Sequence, residues 1–199
     1  MTTTWMPPDP RTFRDTLGRF ASGVVVVGGV DRDAGANDGR PVGLTCQSFF
    51  SVSLHPPLVA VAPSSNSSSW RAIERSGAFA VSVLAEGSTD ACLTFGRSGP
   101  LDKFATVGWH RAPSGSPVLR GALAWLDCRI HAIHPAGDHY LVVGEVDYLG
   151  AGDGAPLLFY RGGFGSFATH ETSPQLAGRP DWTAEDVWGT GLWLEGVDW

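Results

Sequence analysis

The stretch from Pro41 to Pro57, PVGLTCQSFFSVSLHPP, constrains the fold more than any other. Two adjacent prolines remove two backbone donors and exclude helix, so His55-Pro56-Pro57 is a turn or a strand end. Upstream, Ser51-Val52-Ser53-Leu54 alternates with period two, the pattern of a half-buried strand with one polar face. Phe49-Phe50 adds apolar bulk, and Thr45, Gln47, Ser48, Ser51 and Ser53 supply hydroxyl and amide groups. Such a face suits one wall of a site for a phosphate-bearing or heterocyclic ligand. Read locally, an ordinary solvent-facing strand fits the same residues better.

Elsewhere 26 Gly and 14 Pro cut the apolar residues into short runs, which points to strands joined by turns rather than to long helices. A length of 199 residues fits one domain with a tail. Asp9-Pro10 has the form of an N-cap followed by a first-turn proline. Phe13, Leu17 and Phe20 then share one helix face, and Gly23 can close that helix. Val24 to Val27 reads as a strand buried on both sides, and Gly28 to Arg40 as a hairpin-type loop.

Further strands are expected at Leu58 to Ala62, Phe79 to Leu84, Leu123 to Ile133, Tyr140 to Val146 and Leu157 to Tyr160. In Leu123 to Ile133, alternation puts Ala124, Leu126, Cys128, Ile130 and Ala132 on one face and Trp125, Asp127, Arg129 and His131 on the other. Trp70 to Ser76 reads as a short helix with Ser68 or Ser69 as N-cap and Gly77 as its stop. Ser88 to Phe95 reads as another, ended by Gly96. Arg111 to Gly121 is expected to be loop, and Gly137-Asp138 a tight turn before His139. Short strands with a few short helices make the chain mainly β, a closed or nearly closed antiparallel barrel.

Several classes are disfavoured. A net charge of -6 with scattered basic residues argues against nucleic acid. Cys46, Cys92 and Cys128 are odd in number with no CxxC, so neither a disulfide framework nor a zinc knuckle is supported. His131 and His134 would fall on opposite strand faces, which weighs against a shared metal. Without a leader-like start or a long apolar run, the expectation is a cytoplasmic protein that does not enter a membrane. GxGxxG, GxxxxGK[ST] and GxSxG motifs are all absent. The serine-rich loop after Pro63, running into a helix N-terminus, is a ready anion site. A capped helix behind a plain linker is as good a reading.

Six blocks in order change the weighing: FRDTLGRFASGVVVV (Phe13 to Val27), PVGLTCQSFFSVSLHPPLVAV (Pro41 to Val61), SGAFAVSVL (Ser76 to Leu84), GSPVLRGALAWLDC (Gly115 to Cys128), GDH (Gly137 to His139) and PLLFYRGGF (Pro156 to Phe164). Together they resemble the short-chain flavin reductase family, the reductase components of two-component flavin-dependent monooxygenases, from about Asp9 to Phe167. The CQSF run, the segment Trp70 to Glu74 and the Trp-containing end are also similar to reductases of actinobacterial steroid-degrading hydroxylases.

The resemblance implies a split β-barrel over residues 9–168, a Trp-rich C-terminal tail over 169–199, a homodimer, and a monooxygenase partner that receives reduced flavin. It implies FMN or FAD held by Val42, Gly43, Leu44, Thr45, Gln47, Ser48, Ala62, Pro63, Ser64, Ser68, Ser69, Thr94 and Phe95. NADH or NADPH would meet His139, Phe159, Tyr160, Arg161 and Gly162, with His139 positioning the nicotinamide or, as the alternative, serving as a turn histidine that holds the Asp138 carboxylate. Backbone N–H groups of Leu44 to Ser48 would face the charge on the reduced ring. One departure stands out: Ser64 to Ser69 is all Ser and Asn where such reductases often carry Lys or Arg. Phosphate charge would then fall to N–H groups and hydroxyls, with Arg71 or Arg97. A non-catalytic flavin- or haem-binding barrel module, or an oxidase like pyridoxamine-phosphate oxidase, are the alternatives on a related barrel.

Overall fold

Val24 to Val27 lie at the centre of the fold, each no more than 3% exposed. The computed structural model describes residues 9–34, 39–99 and 102–168, so the expected tail at 169–199 lies outside the described residues. Successive strand side chains point to opposite faces. Val25 and Val27 therefore enter one core with Val61, Trp70, Ile73, Phe79 and Val142. Val24 and Val26 enter another with Leu84, Phe95, Phe104 and Leu119. Burying each valine contributes about 1.5–3 kcal/mol.

The strands are β1 (Ser22–Gly23), β2 (Val25–Asp31), β3 (Arg40–Cys46), β4 (Phe49–Leu54), β5 (Pro57–Val61), β6 (Ala78–Val83), β7 (Trp109–Arg111), β8 (Pro117–Leu119), β9 (Ala124–Ala136), β10 (His139–Ala151), β11 (Leu158–Tyr160) and β12 (Gly163–Gly165). Seven form one antiparallel sheet in the order β3-β2-β6-β9-β10-β5-β4. Its two edges, β3 and β4, are consecutive in sequence and joined only through Gln47-Ser48. A connection this short spans roughly 10 Å at most, so the sheet must curl until its edges nearly meet. This is the expected split barrel. Among the described residues no helix is long and apolar enough to cross a membrane.

Helix α1 (Pro10–Leu17) starts as expected, with Asp9 accepting from the N–H groups of Arg11 and Thr12. It ends at Gly18, not Gly23, which belongs to β1; Phe13, Leu17 and Phe20 are exposed. Helix α2 (Ser68–Ser76) stops at Gly77 in the left-handed region, φ 75°, and its N-cap is Ser67 rather than Ser68 or Ser69. Helix α3 (Thr89–Gly96) follows the expected bounds closely.

Other expectations are corrected. Gly28 to Asp31 continue β2 instead of opening a loop. A Cβ on Gly28 would lie 2.7 Å from the Pro117 carbonyl oxygen, and one on Gly29 2.8 Å from Ile73. These glycines serve close packing, not a turn. The Arg111 to Gly121 region holds the β7–β8 hairpin. Ser51 to Leu54 form an edge strand exposed along most of its length, so their alternation has no core to face. Asp127, expected opposite the apolar face of β9, is 1% exposed, accepting from Ser114 N at 2.9 Å and Ser114 Oγ at 2.5 Å. The Gly137-Asp138 turn stands as expected, with Ala136 paired to His139.

Candidate functional site

Strand β3 supplies one wall of a continuous trough made of three cavities. The first, 430 Å³, lies between Leu44 to Ser48 and Ala62 to Ser64, with Ser67 and His139 at its margin. The second, 260 Å³, shares Leu44, Thr45, Ser64 and Ser67 and adds Ser68, Ser69, Phe95, Arg97 and Lys103. The third, 560 Å³, shares Ser68, Ser69 and Lys103 and reaches Val42, Gly43, Arg40 and Arg71. Gly43 shapes this wall, because a Cβ there would lie 2.9 Å from the Phe95 ring.

The hydroxyls of the wall mostly hold the protein together. Thr45 Oγ1 donates to Cys92 O at 2.6 Å, pinning α3 to β3. Ser48 Oγ accepts from Ala62 N at 3.1 Å and donates to Ala62 O at 3.3 Å, joining the β3–β4 connection to the end of β5. Ser51 and Ser53 line none of the three cavities, so the expected wall does not extend along β4. Backbone donors add to what the trough offers a ligand. Among the described residues the N–H groups of Gln47, Ser48, Ser68 and Ser69 make no hydrogen bond. The last two begin α2, where free donors and the helix dipole favour an anion.

His139 reaches the trough from the β9–β10 hairpin. Its backbone is anchored to the serine loop by Ser65 N to Asp138 O at 3.0 Å and Tyr140 N to Pro63 O at 3.0 Å. Its Nδ1 donates to Asp138 Oδ1 at 2.6 Å. A fourth cavity, 730 Å³, lies against α1 and is lined by Phe13, Arg14, Arg19, Phe20, Gln47, Phe159, Arg161 and Gly162. Arg161 and Gly162, with φ 51° and 83°, form the turn of the β11–β12 hairpin, and Arg161 N donates to Gly18 O at 3.0 Å.

The expected residues therefore divide. Val42, Gly43, Leu44, Thr45, Gln47, Ser48, Ala62, Pro63, Ser64, Ser68, Ser69, Phe95 and His139 line the trough. Phe159, Arg161 and Gly162 line the cavity on α1 instead, and Gln47 borders both. Thr94 and Tyr160 line none of the four cavities. Thr94 precedes Phe95 on α3, and adjacent helical residues point about 100° apart.

Residues 17–168 match the family model described as a flavin reductase like domain. The chain belongs to the flavin reductase family. It is 44% identical over 186 residues, 90% of this chain and 92% of the other, to the reductase subunit HsaB of a flavin-dependent monooxygenase from Rhodococcus jostii. It is 44% identical over 161 residues, 80% of this chain and 91% of the other, to a flavin reductase from Pseudomonas putida. Among solved structures, an NADH:FAD oxidoreductase from Streptomyces globisporus in complex with NAD and FAD fragments matches with TM-score 0.75 and 34% identity, covering 83% of this chain and 98% of that one.

Two features of the trough were not expected from sequence. Lys103, in the turn between α3 and β7, is 8% exposed and borders two cavities, and no motif in the sequence singles it out. Ser67, just before the expected caps Ser68 and Ser69, is the cap. The bond between Asp138 and His139 is the one that the turn-histidine reading expects. It holds the Asp138 carboxyl below the ordinary carboxylate range. A lowered folded value means the pair's contribution is complete above about pH 4 and is lost as the pH falls through that lowered value. Asp138→Asn is therefore expected to raise the KM for NADH several-fold at neutral pH while leaving flavin affinity unchanged. An unchanged KM in steady-state assays removes Asp138 from the site.

Proposed function

We propose that this chain is an NAD(P)H-dependent flavin reductase that reduces FMN or FAD and supplies the reduced flavin to a partner monooxygenase. The observation that carries this reading is the trough along β3, with N–H donors at Gln47, Ser48, Ser68 and Ser69 that make no hydrogen bond among the described residues, and a buried Lys103 ammonium that no described carboxylate pairs. A planar ring with a phosphorylated side chain fits such a trough at both ends. Gln47 and Ser48 would hold the ring edge, and Ser68 and Ser69 the phosphate. When bound, the flavin supplies hydride acceptance from the nicotinamide, so no side-chain nucleophile is required.

The chain's own residues bind and orient. Free N–H groups near Ser48 stabilise negative charge without reorganising. His139, held by Asp138, positions the nicotinamide at the open side of the 430 Å³ cavity. Gln47 lies between that cavity and the one on α1, where Arg14, Arg19 and Phe159 suit the remainder of the dinucleotide. The names of relatives support the cofactors: one is an NADH-dependent flavin reductase and another an NADH-using FMN reductase. A homodimer belongs to the same reading, since Phe13, Leu17 and Phe20 leave an apolar face exposed. A monomer mass in sedimentation equilibrium removes that part.

Steady-state NADH and NADPH oxidation with added FMN or FAD tests the reading. Multiple turnovers per protein are expected. Stoichiometric flavin or haem binding without turnover would favour the non-catalytic module. Amine oxidation with no need for nicotinamide would favour the oxidase.

A further inference from the structure

We propose that Lys103 is the cation that grips the phosphate of the bound flavin, and that it makes the site prefer phosphorylated flavins to riboflavin. The inference rests on the flavin reductase reading above. Lys103 is buried, and its Nζ donates to Phe95 O at 2.9 Å and Gly43 O at 3.2 Å. These two carbonyls fix the ammonium between β3 and the end of α3 and leave one of its three N–H groups for a ligand. Among the described residues no carboxylate pairs with it. A buried ammonium without a counter-charge is unfavourable, and an anion alongside would remove that penalty.

The surroundings indicate where the anion goes. Lys103 borders the 260 Å³ and 560 Å³ cavities, and so do Ser68 and Ser69. Because Ser67 caps Trp70 N, the hydroxyls of Ser68 and Ser69 are free of that duty, and their N–H groups are unbonded. Arg97 borders one cavity and Arg71 the other. The serine loop from Ser64 to Ser69 contains no basic residue of its own. Arg71, at 3.3 Å from Ser65 O, adds positive charge on the α2 side, and Lys103 supplies a buried one from the opposite wall. Burial pushes the lysine pKa down, and a phosphate in contact would push it back up. The ligand chemistry is a phosphate monoester, as in FMN, or a diphosphate, as in FAD.

Equilibrium titration by flavin fluorescence with FMN, FAD and riboflavin tests this. The wild-type protein is expected to bind FMN at least about 10-fold more tightly than riboflavin, the scale of one charge-assisted hydrogen bond. Lys103→Gln is expected to weaken FMN and FAD binding by about 10–100-fold and riboflavin by less than about two-fold. Lys103→Arg, which keeps the charge, is expected to lose less than Lys103→Gln. Equal losses for riboflavin and FMN would overturn the proposal in favour of a structural lysine. Equal wild-type affinity for the two would overturn it even if the variants failed to fold. Wild-type protein that binds no flavin and oxidises no NADH would instead sink the flavin reductase reading itself.

Discussion

Gly144→Val is expected to destabilise the barrel by about 3 kcal/mol, which at this chain length lowers the thermal midpoint by roughly 6–12 °C. Gly144 lies in β10, paired to Ile130 on one side and Val59 on the other. A Cβ at this position would lie 2.4 Å from Phe79 Cζ, 2.8 Å from Phe79 Cε1 and 3.1 Å from Cys128 Cβ. Phe79 is 0% exposed and Cys128 1%, so neither neighbour can turn out to solvent. The valine must push the ring into a packed core or bow the strand away from both partners. Phe79→Leu removes the outer ring atoms that cause the clash. The double variant is therefore expected to be more stable than the sum of the two single losses allows. Additive losses, or a Gly144→Val protein that melts with the wild type, would show that the strand gives way at no cost.

That glycine marks a limit of what the sequence can show. Local chemistry was readable: Asp9-Pro10 opens a helix, Gly77 closes one, Gly137-Asp138 turns a hairpin, and four successive valines are buried from both sides. Each of these depends on a residue and its near neighbours. Gly28 and Gly29 depend on Pro117 and Ile73, far away in the chain, so a strand with missing side chains looked like a loop. Ser51 to Leu54 alternate correctly but lie at a sheet edge, and period two does not reveal which strand is last.

The site follows the same division. The order of the six blocks pointed to the family, and most of the residues carried over with them gather along one trough. The direction of each side chain did not carry over. Thr45 and Ser48 bond to Cys92 and Ala62 rather than facing a ligand, and Lys103, which no sequence motif singles out, is buried against the carbonyls of Gly43 and Phe95. Hydroxyl content identified the right wall for the wrong reason, since the unbonded donors there are backbone N–H groups.

His139→Ala is expected to lower kcat/KM for NADH about 100-fold, the usual penalty when a positioned reactant is displaced by about 1 Å. The hairpin itself should survive the change. Its attachment to the serine loop runs through the backbone of Asp138 and Tyr140, and the His139 ring is half exposed. A loss of activity would therefore report the imidazole and not a collapsed turn. Stopped-flow reduction over a range of NADH concentrations, alongside flavin titration, separates the two: the reduction rate and NADH dependence should change while flavin affinity stays within about two-fold. Because the Asp138 carboxylate acts through the ring it bonds, Asp138→Asn should add nothing once His139 is alanine. Wild-type reduction by His139→Ala would remove the ring from the mechanism. An independent further loss in the double variant would mean that Asp138 touches the ligand by itself.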